Sequence, residues 1–206
     1  DMATMLAFIA TDAAVAQPLL DALLREAVER SFHRISVDGD TSTNDACLLL
    51  ATGAAGNDEL VDGDSEDARA LAEAVGDVCV QLAQGLVRDG EGASKFVTVS
   101  VDGGRDAAEC LAVAFTIAHS PLVKTALFAS DPNWGRLLAA IGRAGIADLD
   151  VGTVSVRLND LLIAEGGCRA ASYSEEAGAA AMDAPDIRIA VDLGRGKASE
   201  TDRKST

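Results

Sequence analysis

Apolar and polar positions change their spacing several times along the chain, and each change marks an element. Met5-Leu6-Ala7-Phe8-Ile9-Ala10 is an unbroken apolar run, so residues 4 to 12 are expected to form a buried strand. After Pro18, the positions Leu19, Leu20, Leu23, Leu24, Ala27 and Val28 recur at helical spacing as far as about Phe32. Ile35 to Asp40 reads as a short strand entering a turn, and Ala46 to Ala51 as a second apolar strand. Asn57 to Asp64 is acidic and contains glycine, which predicts a surface connection. A long amphipathic helix is expected from Ser65 to about Val87, with Ser65 as N-cap, Glu66 and Asp67 favoured by the helix dipole, and Gly90 past its end.

The second half alternates in the same way. Lys95 to Val101 is rich in β-formers, Ala107 to Ala118 is helical, and Asn133 to Arg143 is a shorter helix closed by Gly145. Thr153 to Leu158, Leu161 to Ala164 and Ile187 to Leu193 read as late strands, while Gly196 to Thr206 reads as a polar, uncapped end. Strands interleaved with long helices predict an α/β layered fold rather than a bundle or sandwich. The 206 residues suffice for one domain or two small layered units, and the Ala- and Gly-rich stretch from Ser174 to Pro185 is where two lobes would join.

Composition narrows the function classes. Aromatics are 3% of the chain, so the core must be aliphatic, and a net charge of −16 repels nucleic acid and anionic membranes. No run is expected to reach the length and apolarity of a membrane span, and no basic segment followed by an apolar run opens the chain. Cys47, Cys79, Cys110 and Cys168 lie too far apart for a close-paired zinc site and read as reduced core residues of a cytoplasmic protein.

Candidate chemistry starts at the first residues. Asp1-Met2-Ala3-Thr4 runs straight into the first strand with no lead-in, as a piece of a longer chain would. A threonine becomes a nucleophile when its own α-amine, with a pKa of about 7.7 to 8.0, is set free to take the hydroxyl proton. Alternatively, Thr4 simply opens a β-strand, where threonine is common. Asp89-Gly90-Glu91-Gly92 is either a helix stop with an exposed turn or a carboxylate set among small residues for a ligand's amino group. Three carboxylates between Asp38 and Asp45 invite a metal reading, but their spacing is not that of a calcium loop, so no metal is expected. Their side chains are expected to fold the loop on itself. Trp134 and Arg136 read as structural or interface anchors, and His33 and His119 as cations at helix C-termini.

Four blocks carry a family resemblance. Met2-Ala3-Thr4-Met5-Leu6-Ala7-Phe8-Ile9-Ala10-Thr11-Asp12-Ala13 resembles the autocleavage site of the ornithine acetyltransferases, also called glutamate N-acetyltransferases. Ser36-Val37-Asp38-Gly39-Asp40-Thr41-Ser42-Thr43-Asn44-Asp45, Arg88-Asp89-Gly90-Glu91-Gly92-Ala93-Ser94-Lys95-Phe96 and Ser130-Asp131-Pro132-Asn133-Trp134-Gly135-Arg136 are similar to further blocks of that family, in its order. The resemblance implies helices packed on mixed sheets in an N-terminal-nucleophile enzyme. It also implies that residues 4–206 are the β chain and residues 1–3 the end of an α chain from the same precursor, cut between Ala3 and Thr4. Thr4 is then the catalytic residue and, with Glu91, a substrate-binding one. The implied reaction moves acetyl from N-acetyl-L-ornithine to L-glutamate by a ping-pong path without a cofactor, in an α2β2 or larger assembly. An amide hydrolase or aminopeptidase that uses water as acceptor shares the local chemistry and is the alternative.

Overall fold

The computed structural model describes residues 5–40 and 42–206. It divides into two compact units, the first running to Ile35 and resuming over Asp40–Leu86, the second comprising Ser36–Gly39 and Val87–Thr206. The stretch 174–185, where a join is expected from composition, contains a helix, and the division falls instead near Ile35 to Asp40 and at Leu86.

In the first unit β1 (Leu6–Thr11) is followed by α1 (Gln17–Arg30), the short β2 (Ile35–Ser36) at the boundary, β3 (Ala46–Ala51) and α2 (Glu66–Arg88), whose last turn belongs to the second unit. β1 and β3 pair in parallel, from Leu6 against Ala46 to Thr11 against Ala51. Residues of alternate strand positions point to opposite faces, so Met5, Ala7, Ile9 and Leu49 are buried. Leu20, Leu23 and Ala27 of α1 and Ala68, Val75, Cys79 and Ala83 of α2 add the helical stripes of this core. The first strand is therefore covered on one face only, against the expectation of a fully buried strand: Leu6 and Phe8 are each 66% exposed. The Ser65 hydroxyl accepts the Ala68 amide at the start of α2, as the cap pattern predicts. With a mean hydropathy of 1.3 over its most apolar window, α2 is long and apolar enough to cross a membrane, contrary to the sequence expectation. Only 22% of that window is buried, and Glu73 and Asp77 fall within its middle turns.

The second unit continues with β4 (Phe96–Gly104), α3 (Ala107–Ala118), α4 (Pro121–Phe128), α5 (Trp134–Gly142), β5 (Ser155–Leu158), β6 (Leu161–Glu165), β7 (Cys168–Arg169), α6 (Glu175–Met182), β8 (Asp186–Asp192) and β9 (Ala198–Ser205). Its mixed sheet has the order β2-β9-β4-β8-β5-β6-β7, with β4 parallel to β8 and antiparallel to β9. Val97, Val99, Val101, Ile187, Ile189 and Val191 meet Val113 and Ile117 of α3 in a core in which all but two are fully excluded from water. This is the aliphatic, helix-on-sheet packing that the composition requires.

The largest departure from the sequence pattern is β9. Residues 198–205 are polar and read as a solvated end, yet they form an inner strand between β2 and β4. Asp202 is fully buried and Lys204 is 2% exposed. Polar alternation cannot distinguish a strand in water from one whose charges are buried among partners, so periodicity missed it. The helices α4 and α6 are both capped by serines, Ser120 to the Val123 amide and Ser174 to the Ala177 amide, signals too short to outweigh their surroundings in a linear reading.

Candidate active site

Ala3 and Thr4 lie outside the described residues, as does Thr41 of the second block. The chain just after Thr4 is firmly held. The Met5 amide donates to Asp45 Oδ1 at 2.8 Å, the Met5 carbonyl accepts the Ala46 amide at 3.1 Å, and the Met5 side chain is buried. Asp45 thus ends its block by fixing the first described residue, the kind of backbone capping expected of this loop. Ser42 accepts the Asn44 amide within the same loop, which folds it locally. On this unit a cleft between α1 and β3 is lined by Asp21, Arg25, Glu29, His33, Asp45 and Cys47. His33 Nδ1 lies 3.0 Å from Glu29 Oε1, across the C-terminal end of α1.

Glu91 belongs to the second unit. The Gly90 amide reaches back to the Val87 carbonyl, ending α2, and Glu91 and Gly92 make an exposed turn closed by the Ala93 amide on the Gly90 carbonyl. Gly92 has φ +71°, a conformation that favours a residue without Cβ. The two ends of this block meet: the Arg88 guanidinium lies 3.8 Å above the Phe96 ring while making paired hydrogen bonds of 2.7 and 2.9 Å to Asp186. Those bonds hold the Asp186 carboxyl below its usual pKa. Lys95 donates to the Met182 carbonyl and Ser94 to the Thr206 carbonyl. The block is a closed loop with Glu91 at its tip, so the helix stop and the presented carboxylate are one piece of backbone.

The fourth block is structural. Asn133 caps α5 by accepting the Arg136 amide at 3.1 Å and donates to Asp131. Arg136 ties α5 to α4 through the Leu122 carbonyl and the Thr125 hydroxyl, and Trp134 packs partly buried against the core. Ser130, with φ 52°, turns the chain into this block.

Two expectations need correction. His119 is not a helix-terminal cation: burial, then the positive charge of Lys204, lowers its pKa, and its Nε2 lies 3.1 Å from the Ser36 hydroxyl while its ring stacks on Phe115. Nor are all four cysteines in the core. Cys79 and Cys110 are buried, Cys47 is half-buried and Cys168 is exposed, all as free thiols. Burial pushes the Cys79 thiol up to about 11, with Cys47 adding to it, so it is held as an inert thiol.

Sequence reasoning missed one group of charges. Asp202, Lys204 and Ser36 are buried near His119, with Lys204 Nζ donating to the Val37 carbonyl at 3.0 Å. Neither Asp202 oxygen makes a well-formed hydrogen bond among the described residues, although the Ser36 hydroxyl and Arg203 amide lie close enough to favour its charged form. Burial dominates and pushes its carboxyl up to about 6, and it lowers Lys204 to about 8. Strand β9 thereby grips the first residues of the block that begins at Ser36. The alternating Glu200, Asp202 and Lys204 were the only hint in the sequence.

Helices packed on one parallel and one mixed sheet make this an α/β protein, with the blocks that begin at Ser36, Arg88 and Ser130 at turns and caps. The chain belongs to the ArgJ family, whose model matches residues 1–204. It is 56% identical over 201 residues to the arginine biosynthesis bifunctional protein ArgJ of Pseudomonas syringae pv. tomato, and 55% identical to that of Pseudomonas fluorescens. Each alignment covers 98% of this chain and 50% of the relative, so the chain spans about half the length of the curated relatives it matches. The crystal structure of the arginine biosynthesis bifunctional protein argJ from Bacillus halodurans matches with a TM-score of 0.91 at 34% identity, over 98% of this chain and 94% of that one.

Proposed function

We propose that this chain is the nucleophile-bearing half of an acetyltransferase that carries acetyl from N-acetyl-L-ornithine to L-glutamate. The observation that carries the reading is membership of the ArgJ family over residues 1–204, with relatives named for arginine biosynthesis. The matching chain of the Bacillus halodurans structure is 94% covered, whereas the curated relatives are half covered, which supports a precursor cut into two polypeptides.

Cleavage between Ala3 and Thr4 frees the Thr4 amine, which takes the proton of its own hydroxyl. The hydroxyl oxygen attacks the acetyl carbonyl of N-acetylornithine, the carbon–nitrogen bond breaks, and ornithine leaves with the proton. The glutamate amine then attacks the acetyl ester, and the Thr4 oxygen recovers its proton as N-acetylglutamate departs. Glu91 pairs with an amino group of ornithine at the tip of its turn. The α half of the same precursor completes the site, in an α2β2 or larger assembly in the cytoplasm, with no cofactor.

Full-length protein tests this directly. Intact-mass analysis should find a chain that begins at Thr4 and gains one acetyl group from N-acetylornithine, and ornithine release should depend on glutamate. Thr4→Ala should abolish both the cut and the acetyl adduct, with turnover lower by at least about 1000-fold. Wild-type turnover in that variant would end the proposal, and ornithine release that ignores glutamate would make the enzyme a hydrolase.

A further inference from the structure

Backbone pairing between β1 and β3 starts at Leu6 against Ala46, so Met5 stands just ahead of the ladder. Both of its polar groups are nevertheless fixed. Its N–H donates to Asp45 Oδ1 at 2.8 Å, its C=O accepts the Ala46 N–H at 3.1 Å, and its side chain is buried. At this first rung a carboxylate takes the place of a backbone acceptor, and an N–H bonded to a charged oxygen is held roughly twice as strongly as one bonded to a carbonyl. Asp45 is itself braced. Behind it the Ser42 hydroxyl accepts the Asn44 N–H and the Thr43 hydroxyl donates to Asn44 Oδ1, and ahead of it β3 begins at Ala46.

A peptide unit is planar, so whatever orients the Met5 N–H also orients the bond that joins Met5 to Thr4. Reacting atoms must meet within a narrow range of distance and angle, and a misplacement of about 1 Å costs on the order of 100-fold in rate. We propose that Asp45 is the positioning residue of the nucleophile: acting through the Met5 amide, its oxygen aims Thr4 at the Ala3 carbonyl for the cut and then at the acetyl carbonyl for transfer. The proposal rests on the reading of Thr4 as the nucleophile. In the cut, the Thr4 oxygen attacks the Ala3 carbonyl carbon, and its proton passes to the nitrogen as the carbon–nitrogen bond breaks. Water then splits the ester, giving Ala3 a carboxyl group and the Thr4 oxygen a proton. Both attacks use one oxygen on one backbone unit, so one anchor serves both. Asp45 supplies place rather than charge, and acts without touching substrate.

Full-length Asp45→Asn and Asp45→Glu separate place from charge. Asparagine keeps an oxygen at the same point and loses the charge, whereas glutamate keeps the charge and moves the oxygen by one carbon–carbon bond, about 1.5 Å. Acetylation by N-acetylornithine is followed in a single turnover by intact mass, and its rate constant is expressed per cut chain. Asp45→Glu should be slower by about 100-fold and Asp45→Asn by less than about 5-fold, with KM for N-acetylornithine within about 3-fold of wild type in both. A merely structural defect lowers the amount of active protein and leaves that rate constant unmoved. The rate of the cut between Ala3 and Thr4, measured on the same proteins, should rank in the same order. Equal rates in all three proteins, equal losses in the two variants, or the reverse order overturns the proposal. Wild-type protein that is cut but gains no acetyl group removes the proposed function, and the ranking of the cut rates then decides the role of Asp45. Wild-type protein that is acetylated alongside an unimpaired Asp45→Glu removes only the positioning role.

Discussion

Asp202 shows what a single buried charge does to this molecule. Its carboxyl is pushed up to about 6 by burial, against an unfolded value of about 3.9. Between those values the folded chain holds a proton that the unfolded chain has lost. The group's contribution to stability is therefore fullest below about pH 4 and falls as pH climbs through about 6. Lys204, Arg203 and the Ser36 hydroxyl offset part of the cost of ionising it. Asp202→Asn lacks this slope, so the stability difference, variant minus wild type, should become more positive by about 2–3 kcal/mol between pH 4 and pH 7. Urea melts across that range measure it, and a difference that stays level contradicts the burial argument. At Glu91 the expected effect is on binding. Glu91→Gln should raise KM for N-acetylornithine by roughly 10- to 100-fold, the loss of one charge-assisted hydrogen bond, with a smaller change in kcat. An unchanged KM would return Glu91 to the role of a turn residue.

Elements are limited by backbone approach as much as by apolar stripes. β4 and β9 come together through a register shift between Asp102 and Gly104, and a Cβ at Gly196 would lie 2.0 Å from the Gly104 carbonyl oxygen. Backbone on both sides leaves nothing to yield. Gly196→Ala should therefore cost about 1–3 kcal/mol, the range for overpacking, despite its minimal side chain. Asn133→Ala removes the cap of α5 and should cost about 1 kcal/mol. Thermal melts of the two variants would rank them, and an equal or smaller loss for Gly196→Ala would show that the β4–β9 junction can relax.

For the whole molecule, residues 198–206 matter more than their composition implies. β9 pairs with β4 along its length, Phe96 against Ser205 through Gly104 against Ala198, and supplies the buried Asp202 and Lys204. Removing it exposes the Val97, Val99 and Val101 strand along an edge and uncovers a core that α3 alone cannot close. Full-length protein lacking residues 198–206 should lose its cooperative thermal transition and most of its soluble yield. A transition within about 4 °C of wild type, roughly 1 kcal/mol for a chain of this size, would mean that the strand is dispensable.

What the sequence determined by itself was local or repeated. The helical spacing of Leu20, Leu23 and Ala27, the Ser65 cap, and the apolar runs of β1, β3 and β8 each need only neighbours in the chain to be read. Two of the four blocks also carry a local demand, a turn at Gly92 and a cap at Asn133, whereas the grip of Asp45 on the Met5 amide spans 40 residues of chain. Tertiary structure alone decided which strands are inner. β9 is polar in sequence and buried in space, because Lys204 finds the Val37 carbonyl far away in the chain and Ser36 lies close to Asp202. β1 is apolar on both faces but covered on one, because its second face has no partner among the described residues. Burial is a property of what packs against a residue, and a linear pattern records only what a residue could tolerate.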